Sequence, residues 1–326
     1  MSLGSLGALL FPGKVMPLVA GKMRSESKAV ILPAEREEFM KHVEKRAEQG
    51  AQLNVNQLGE AILGEEEAAR RLDALVGRLK DPLVSYVSVK LSAIYSQINL
   101  MAFDVSLEDV KERLRRLYRT AIAFPVTGEG GEKRAKFVNL DMEEYRDLHL
   151  TLAAFRQVLE EHEFKDFSAG IVLQAYLPDS FEQQKSLTRW AIERIESGGR
   201  PIKVRLVKGA NLAMEAVDAS IHGWEQAPYG SKLEVDANYK RMVEFGCRPE
   251  HARAVRIGIA SHNLFDIAHG LILREMNEVR ALVDFEMLEG MADYQAQIIE
   301  DVADDLILYA PVVRKQDFHC AIAYLV

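Results

Sequence analysis

The sequence predicts a (β/α)8 barrel of the TIM type, an α/β fold. From residue 51 to the C-terminus, short β-branched runs that end in polar residues alternate with segments of helical periodicity. Such alternation predicts parallel strands, and eight units in roughly 275 residues suit a closed barrel better than a doubly wound sheet. The length of 326 residues and the hydrophobic content of 48% are sufficient for one large α/β domain. A doubly wound sheet stays the structural alternative.

Seven runs are strong strand candidates and an eighth is weaker. The strong candidates are residues 84–91, 136–141, 170–177, 202–208, 254–261, 281–288 and 305–312. The weaker candidate, residues 51–58, precedes a predicted helix at 65–79 and completes the count that closes a barrel. Helix start signals are expected at Ser106 with Asp109, at Ser180 after Asp179 and at Ser231 with Glu234.

Residues 1–50 lie outside this repeat. They are predicted to form an N-terminal helical extension, and residues 51–326 to form the barrel. Within the extension, residues 34–49 are rich in Glu, Lys and Arg and are typical of an amphipathic helix packed against the barrel. Residues 127–136, rich in glycine and charge, predict a solvated loop.

Composition and motifs exclude several classes of protein. A formal net charge of −8 without a long basic tract argues against nucleic acid as a partner. The two cysteines, Cys247 and Cys320, form no CxxC pair and no metal-cluster spacing, which favours a reducing cytoplasmic setting. No apolar run is long enough to span a membrane. The dinucleotide, P-loop, zinc-protease and nucleophile-elbow motifs are missing.

The run Ile202-Lys203-Val204-Arg205-Leu206-Val207-Lys208-Gly209-Ala210-Asn211 carries three cations on an apolar strand and then breaks at glycine. A strand covered by helices on both faces is usually nearly all aliphatic, so its charges need partners that offset their desolvation. An anionic ligand is the natural candidate. The excess of cations over acids at the strand ends suits a substrate carboxylate or a cofactor phosphate.

Polar residues recur where the other predicted strands end, and in a barrel these ends share one face. They are Glu60, Lys90, Asp141, Gln174, Arg205, Lys208, His262 and Tyr309. A purely structural role is an alternative for each of these residues. Lys90, Asp141 and Tyr309 are also typical of ion pairs or capping groups, Asp141 is placed to cap a helix that begins at Met142, and His262 is able to bond to a loop carbonyl.

At these residues the sequence resembles the proline dehydrogenase family from about residue 51 to the end. The matching segments are Leu58-Gly59-Glu60-Ala61, Val89-Lys90-Leu91-Ser92-Ala93, Asn139-Leu140-Asp141, Leu173-Gln174-Ala175-Tyr176, Arg205-Leu206-Val207-Lys208-Gly209-Ala210, Ser261-His262-Asn263, Leu288-Glu289-Gly290-Met291 and Tyr309-Ala310-Pro311-Val312. Their order and spacing match those of the family.

The resemblance implies oxidation of L-proline to Δ1-pyrroline-5-carboxylate with hydride transfer to N5 of FAD. By analogy, Lys90 holds the substrate carboxylate and Asp141 organises the polar end of the pocket. Leu288 and Tyr309 shape the wall around the proline ring. Glu60 forms half of an ion-pair gate, and Tyr324 belongs to the substrate site.

On the cofactor side, the resemblance places Arg205 near the flavin N5 and Gln174 at the polar edge of the ring. Glycine permits close backbone approach to the ribityl chain, pyrophosphate or adenine. The remaining cofactor-binding residues are Lys208, Gly209, Ala210, His262 and Asn263. No metal is expected.

Two departures from the family pattern stand out. The chain ends at Tyr324-Leu325-Val326, where relatives continue into arginines that clamp the proline carboxylate and pair with Glu60. The expectation is a chain cut short of those arginines, and a single lysine replaces a bidentate pair poorly. Asn211 and Leu212 stand where many relatives have aromatic residues over the flavin or substrate.

The resemblance also implies partners. A quinone is expected as electron acceptor, with peripheral contact to the inner face of the membrane from the cytoplasm. A fused or partner pyrroline-5-carboxylate dehydrogenase, of the aldehyde dehydrogenase type, is expected to follow.

Two other readings remain open. One is a non-catalytic flavin-binding or assembly module that lacks the arginine clamp. The other is a barrel lyase or aldolase that uses Lys90 or Lys208 as a Schiff-base amine and needs no flavin.

Overall fold

Eight parallel strands close into a barrel in the computed structural model, which describes residues 12–27, 30–58, 62, 64–128, 130–303, 306–318 and 321. Each strand pairs with the next along the chain, and the last pairs with the first through Tyr309 beside Asn54. This closure confirms the predicted (β/α)8 barrel and rules out the doubly wound sheet, whose edge strands would stay unpaired.

The barrel strands are β2 (Gln52–Gln57), β3 (Tyr86–Lys90), β6 (Phe137–Asp141), β7 (Gly170–Gln174), β8 (Ile202–Val207), β9 (Val255–Ala260), β10 (Val283–Leu288) and β11 (Leu306–Val313). A short β1 (Leu32–Pro33) adds to β11 in parallel. β4 (Val126–Thr127) and β5 (Lys133–Arg134) form a separate antiparallel pair. The eight predicted strands are therefore all confirmed, including the weaker first one.

The described helices are α1 (Pro12–Ser27), α2 (Arg36–Glu48), α3 (Glu65–Lys80), α4 (Leu91–Ile94), α5 (Phe103–Ala123), α6 (Leu148–Glu160), α7 (Ser180–Glu196), α8 (Leu212–His222), α9 (Lys232–Gly246), α10 (Pro249–Ala252), α11 (Leu264–Met276) and α12 (Asp293–Ala303). Short 3-10 turns cover Leu100–Ala102, Tyr145–Asp147, His162–Phe164, Arg280–Leu282 and Lys315–Asp317. No helix among those described has the length and apolar character needed to cross a membrane.

Helix starts follow the sequence signals in part. Ser231 caps α9, because its hydroxyl accepts a hydrogen bond from the backbone N–H of Glu234. Ser180 begins α7, as expected. The prediction for Ser106 is wrong, since α5 already begins at Phe103 and the Ser106 hydroxyl instead donates to the carbonyl of Asn99 at 3.1 Å.

The predicted loop at 127–136 contains part of the β4–β5 hairpin. Val126 pairs with Arg134 and Thr127 with Lys133, so this segment is more ordered than a solvated loop. Both residues of β5 are exposed, which agrees with the solvation that the composition predicted.

Polar residues fill much of the barrel interior. In β8, Lys203 and Arg205 contact carboxylates of β6 and β10 across the barrel interior, whereas Val204 and Leu206 belong to the aliphatic core. Because side chains alternate along a strand, one face can be ionic while the other is covered by helices. The alternation explains why this strand does not have the continuous aliphatic run of a typical buried parallel strand.

Helix α2 packs on the barrel, as the sequence predicted. Its Phe39 and Val43 are buried, and its Arg46 Nε donates to the buried carboxylate of Glu289 at 2.9 Å. His42 Nε2 lies 3.1 Å from the same carboxylate. Burial opposes ionisation of Glu289, but these two partners hold its pKa below the ordinary value. The N-terminal segment is thus tied to the residue that follows β10.

Asp147 generates a prediction about pH and stability. Its side chain is buried, Oδ1 has no hydrogen-bond partner, and Arg146 Nε lies 3.8 Å away. Burial raises its pKa from 3.8 to about 6. In the folded protein the ionised form of Asp147 is therefore disfavoured. Its ionisation lowers the free energy of unfolding, and this loss is complete above pH 6 and vanishes below the unfolded pKa of about 3.9.

We therefore expect Asp147→Asn to raise the free energy of unfolding at pH 7 by about 2 kcal/mol, because a neutral amide avoids this cost. The gain should shrink as the pH falls from 6 towards 4 in urea unfolding. The control is Asp166→Asn, at an exposed position. An equal gain at pH 4 and pH 7 would contradict the explanation.

Candidate functional site

A cavity of about 450 Å³ opens at the carboxyl ends of the barrel strands, where chemistry is concentrated in this fold. It is lined by Lys90, Asp141, Met142, Glu143, Val172, Gln174, Arg205, Val207, Lys208, Gly209, Ala210, Asn211, Ala260, Ser261, His262, Asn263, Glu286, Met287, Leu288 and Tyr309. The structure thus brings together every predicted site residue that it describes. Glu60 and Tyr324 lie outside the described residues.

An ionic network centred on Arg205 forms the floor of the cavity. Arg205 Nη2 donates to Asp141 Oδ1, and Tyr309 donates its hydroxyl hydrogen to Asp141 Oδ2 at 2.7 Å. The Arg205 guanidinium also lies over the Tyr309 ring, 4.8 Å from its centroid. Nη1 lies 3.4 Å from Glu286 Oε2 and 3.5 Å from Ser88 Oγ. Although burial opposes the charge, Asp141 and Glu286 raise the pKa of Arg205, which therefore stays cationic.

Lys90, at the end of β3, has a carboxylate neighbour that the sequence analysis did not select. Its Nζ lies 3.3 Å from Glu143 Oε1, and Ser92 donates its hydroxyl hydrogen to the other oxygen of Glu143. A substrate carboxylate at Lys90 would therefore compete with an internal one.

The predicted excess of positive charge is wrong for the described cavity lining. Lys90, Arg205 and Lys208 are matched by Asp141, Glu143 and Glu286. The predicted anionic ligand is therefore not required to offset these charges, since protein carboxylates already do so. Pairings between different strands decide this balance, so one strand end alone does not reveal its net charge.

The structural roles predicted for Asp141 and His262 are also wrong. Asp141 does not cap a helix at Met142, because α6 begins only at Leu148 and both Asp141 oxygens are used within the barrel. His262 does not bond to a loop carbonyl through Nε2, which accepts a hydrogen bond from the backbone N–H of Leu288 at 2.9 Å.

Lys208 is held by two carboxylates behind the cavity wall. Its Nζ lies 2.6 Å from Asp236 and 2.7 Å from Asp266. Burial lowers its pKa, but hydrogen bonds to these two carboxylates outweigh that effect and raise the pKa above its ordinary value. A Schiff-base lysine needs a neutral amine, so this arrangement disfavours the lyase reading for Lys208.

The backbone after β8 approaches the cavity closely. Gly209 has a φ of +131°, and a Cβ at this position would overlap the Tyr176 ring. Asn211 and Asn263 precede α8 and α11, and both asparagines line the cavity. Two helix N-termini therefore face one side of the site, where backbone N–H groups favour anions. Of the two positions that depart from the family pattern, Asn211 lines the cavity, and Leu212 is half exposed.

Three buried polar atoms of cavity-lining residues have neither a hydrogen-bond partner nor an ion-pair partner among the described residues. They are Gln174 Oε1, Arg205 Nε and His262 Nδ1. Gln174 is fixed by its amide nitrogen, which donates to the carbonyls of Met142 and Glu143 at 2.9 and 3.0 Å. Burial lowers the pKa of His262, and because Nε2 accepts a hydrogen bond, the proton of the neutral ring lies on Nδ1. One acceptor and two donors without partners therefore belong to residues that line the cavity.

Sequence reasoning missed Glu143 and Glu286. Glu286 had a detectable signal, since Asp284 and Glu286 alternate with apolar residues in β10 as Lys203 and Arg205 do in β8. Opposite charges with the same period on two predicted strands indicate an interior ionic layer. Glu143 follows a strand end and carried no such pattern.

Metal chemistry has no visible basis in the described part of the chain. No group of three or more His, Cys, Asp or Glu side chains is arranged there to hold a metal ion. Cys247 is buried and free, and burial raises the pKa of its thiol to about 12, so it is a poor nucleophile. Cys320 lies outside the described residues.

Curated relatives include the bifunctional protein PutA of Klebsiella aerogenes and that of Escherichia coli strain K12. Each is 24% identical over 311 residues, which cover 89% of this chain and 22% of the relative. The chain therefore spans about a fifth of the length of the curated relatives it matches.

Solved structures of PutA proteins match this chain over nearly its whole length. Proline utilization A (PutA) from Corynebacterium freiburgense is 44% identical, with a TM-score of 0.87, over 98% of this chain and 32% of that one. PutA from Bdellovibrio bacteriovorus, inactivated by N-propargylglycine, is 32% identical, with a TM-score of 0.83, over 100% of this chain and 35% of that one. A sequence profile described as proline dehydrogenase matches residues 39–326. Together with the barrel and the cavity at its carboxyl face, this match shows that the chain belongs to the proline dehydrogenase family of oxidoreductases.

Proposed function

We propose that this chain oxidises L-proline to Δ1-pyrroline-5-carboxylate with FAD as its cofactor. The observation that carries the proposal is the set of three unpartnered polar atoms around one cavity at the carboxyl face of a barrel from the proline dehydrogenase family. Buried donors and acceptors without partners are costly, so they are expected to meet a ligand. When bound, FAD would supply the hydride acceptor.

The residues present fit the polar edge of a flavin ring. Arg205 Nε and His262 Nδ1 are donors, and Gln174 Oε1 is an acceptor, which matches a ring system that carries both kinds of group. In this proposal Arg205 stands near N5, where its cation stabilises negative charge that develops on the ring. Asp141 and Glu286 hold that guanidinium in one orientation.

The other side of the cavity suits the remainder of the cofactor. Lys208 provides a cation, and Gly209 and Ala210 line the cavity beside it. Asn263 caps α11 with its side chain, which accepts from the N–H of Phe265 at 2.9 Å. The pyrophosphate is proposed to lie near the N-termini of α8 and α11.

The substrate is proposed to lie beside Lys90. Lys90 binds the carboxylate of L-proline, while Leu288 and Tyr309 form the wall around its ring. The reaction would remove a hydride from the ring carbon beside nitrogen, with FAD as its acceptor, and release the nitrogen proton to solvent, so that a C=N double bond replaces the C–N single bond. Asp141 acts here through Tyr309 and Arg205, which it orients, because its own oxygens accept hydrogen bonds from them.

The partners form part of the same proposal. A quinone would reoxidise the flavin at the cytoplasmic side of a membrane, through peripheral contact. A pyrroline-5-carboxylate dehydrogenase, fused or separate, would consume the product. The printed name of the curated relatives, bifunctional protein PutA, supports a second activity in those proteins.

The first test is the visible spectrum of the purified protein under anaerobic conditions. We expect FAD bands that bleach on addition of L-proline. Bands that persist with L-proline yet bleach with dithionite would support the non-catalytic flavin-binding alternative. Failure to bind added FAD would contradict the cofactor assignment.

Lys90→Met should raise the KM for L-proline by tenfold or more, because a charge-assisted hydrogen bond to the carboxylate is lost. The dissociation constant of FAD should change by less than about twofold, since Lys90 is proposed to touch only the substrate. Steady-state kinetics and FAD titration measure the two effects. Lys133→Met, in the exposed hairpin, is the matched control. An unchanged KM would remove Lys90 from the substrate site.

Arg205→Met should weaken FAD binding by at least about tenfold, because the donor is lost and two buried carboxylates lose their cation. The FAD affinity of Arg205→Lys should lie between those of the parent and of Arg205→Met, since lysine keeps the charge without the planar fork. Flavin fluorescence titration of apoprotein measures the affinity, with circular dichroism as the folding check. Arg253→Met, at an exposed position, is the control. Equal FAD affinity in Arg205→Met would refute the assigned role.

A further inference from the structure

A second ionic layer lies directly below Arg205 inside the barrel. Lys203 Nζ lies 2.7 Å from Glu286 Oε1 and 2.9 Å from Asp284 Oδ2. Lys203 is 3% exposed and Glu286 is 2% exposed. The other oxygen of Glu286 lies 3.4 Å from Arg205 Nη1. Glu286 therefore bridges a cation at the cavity and a cation one layer beneath it.

The barrel leaves space for this pair. Gly258 on β9 lies between the two charged strands, in register with Arg205 on one side and with Asp284 on the other. A Cβ at Gly258 would overlap the Glu286 carboxylate and the Lys203 side chain. Interior layers of such barrels are usually filled by branched aliphatic residues, so an ion pair here carries a desolvation cost that packing alone does not explain.

We propose that the Lys203–Glu286 pair positions Arg205 and sets the reduction potential of the flavin that lies above it. The inference rests on the proposed function, because it assumes FAD in the cavity. Glu286 limits the net positive field of Arg205, and Lys203 in turn limits the negative field of Glu286. Both are positioning residues in this scheme, and neither is proposed to contact L-proline.

The charges of the buried cluster determine the direction of each shift in the reduction potential. The buried cluster contains the cations Lys203 and Arg205 and the carboxylates Asp141, Asp284 and Glu286. Oxidised flavin is neutral, and the reduced ring carries negative charge. Removal of a buried carboxylate should therefore favour the reduced form, and removal of a buried cation should favour the oxidised form.

The test is the midpoint potential of the bound flavin in Glu286→Gln and in Lys203→Met, measured by equilibration with a reference dye. Glu286→Gln should raise the potential and Lys203→Met should lower it. Each shift should correspond to at least a threefold change in the ratio of the protein's affinity for reduced FAD to its affinity for oxidised FAD. Structural damage alone would shift both variants in one direction.

Two further variants sharpen the result. The double variant Lys203→Met/Glu286→Gln removes one charge of each sign and should return the potential towards that of the parent. Glu286→Asp keeps the charge and should shift the potential less than Glu286→Gln. Lys133→Met is the control for loss of an exposed lysine. If Lys203→Met does not fold, Lys203→Gln replaces it, and the potential should again fall, because this variant also removes the buried cation.

The outcomes separate this inference from the proposed function. Parent protein that binds FAD and is bleached by L-proline, with equal potentials in all variants, would overturn the inference alone. Shifts of the same sign in Glu286→Gln and Lys203→Met would also overturn it. Parent protein that does not bind FAD would instead refute the proposed function.

Discussion

The ion pair between Arg205 and Asp141 is the constraint on which the rest of the site depends. The two residues lie on β8 and β6, which are not neighbours in the sheet, so their contact crosses the barrel interior. The same guanidinium lies near Ser88 of β3, Glu286 of β10 and Tyr309 of β11. One buried cation on β8 therefore contacts side chains from four other strands, and this is possible only when the sheet is closed.

Because these charges are satisfied internally, the cavity is nearly balanced rather than cationic. An anionic ligand gains little from a general positive field and must be recognised by particular groups. Lys90 can offer its charge to a carboxylate only in competition with Glu143. Selectivity at such a site comes from the orientation of a few donors and acceptors, which the surrounding hydrogen bonds hold in place.

The wall of the cavity is connected to parts of the chain that lie outside it. The backbone N–H of Leu288 bonds to His262, and the next residue, Glu289, is held by Arg46 and His42 of α2. The turn after β10 is thereby fixed from both sides, by His262 and by helix α2. A segment that lies outside the strand and helix repeat thus contributes to the shape of the site through one buried carboxylate.

The residue pattern of the chain was enough to predict the eight strands, their parallel order and the set of polar residues at their carboxyl ends. These features are local, since strand and helix periodicities and the position of a residue in its own strand are written in short segments. The pairings were not local. Asp141 and Arg205 are 64 positions apart, and the balance between Lys90 and Glu143 or between Lys203 and Glu286 depends on register and closure. The protein partners of the β8 cations could be identified from the folded barrel alone, because they lie on strands that approach these cations only when the barrel closes.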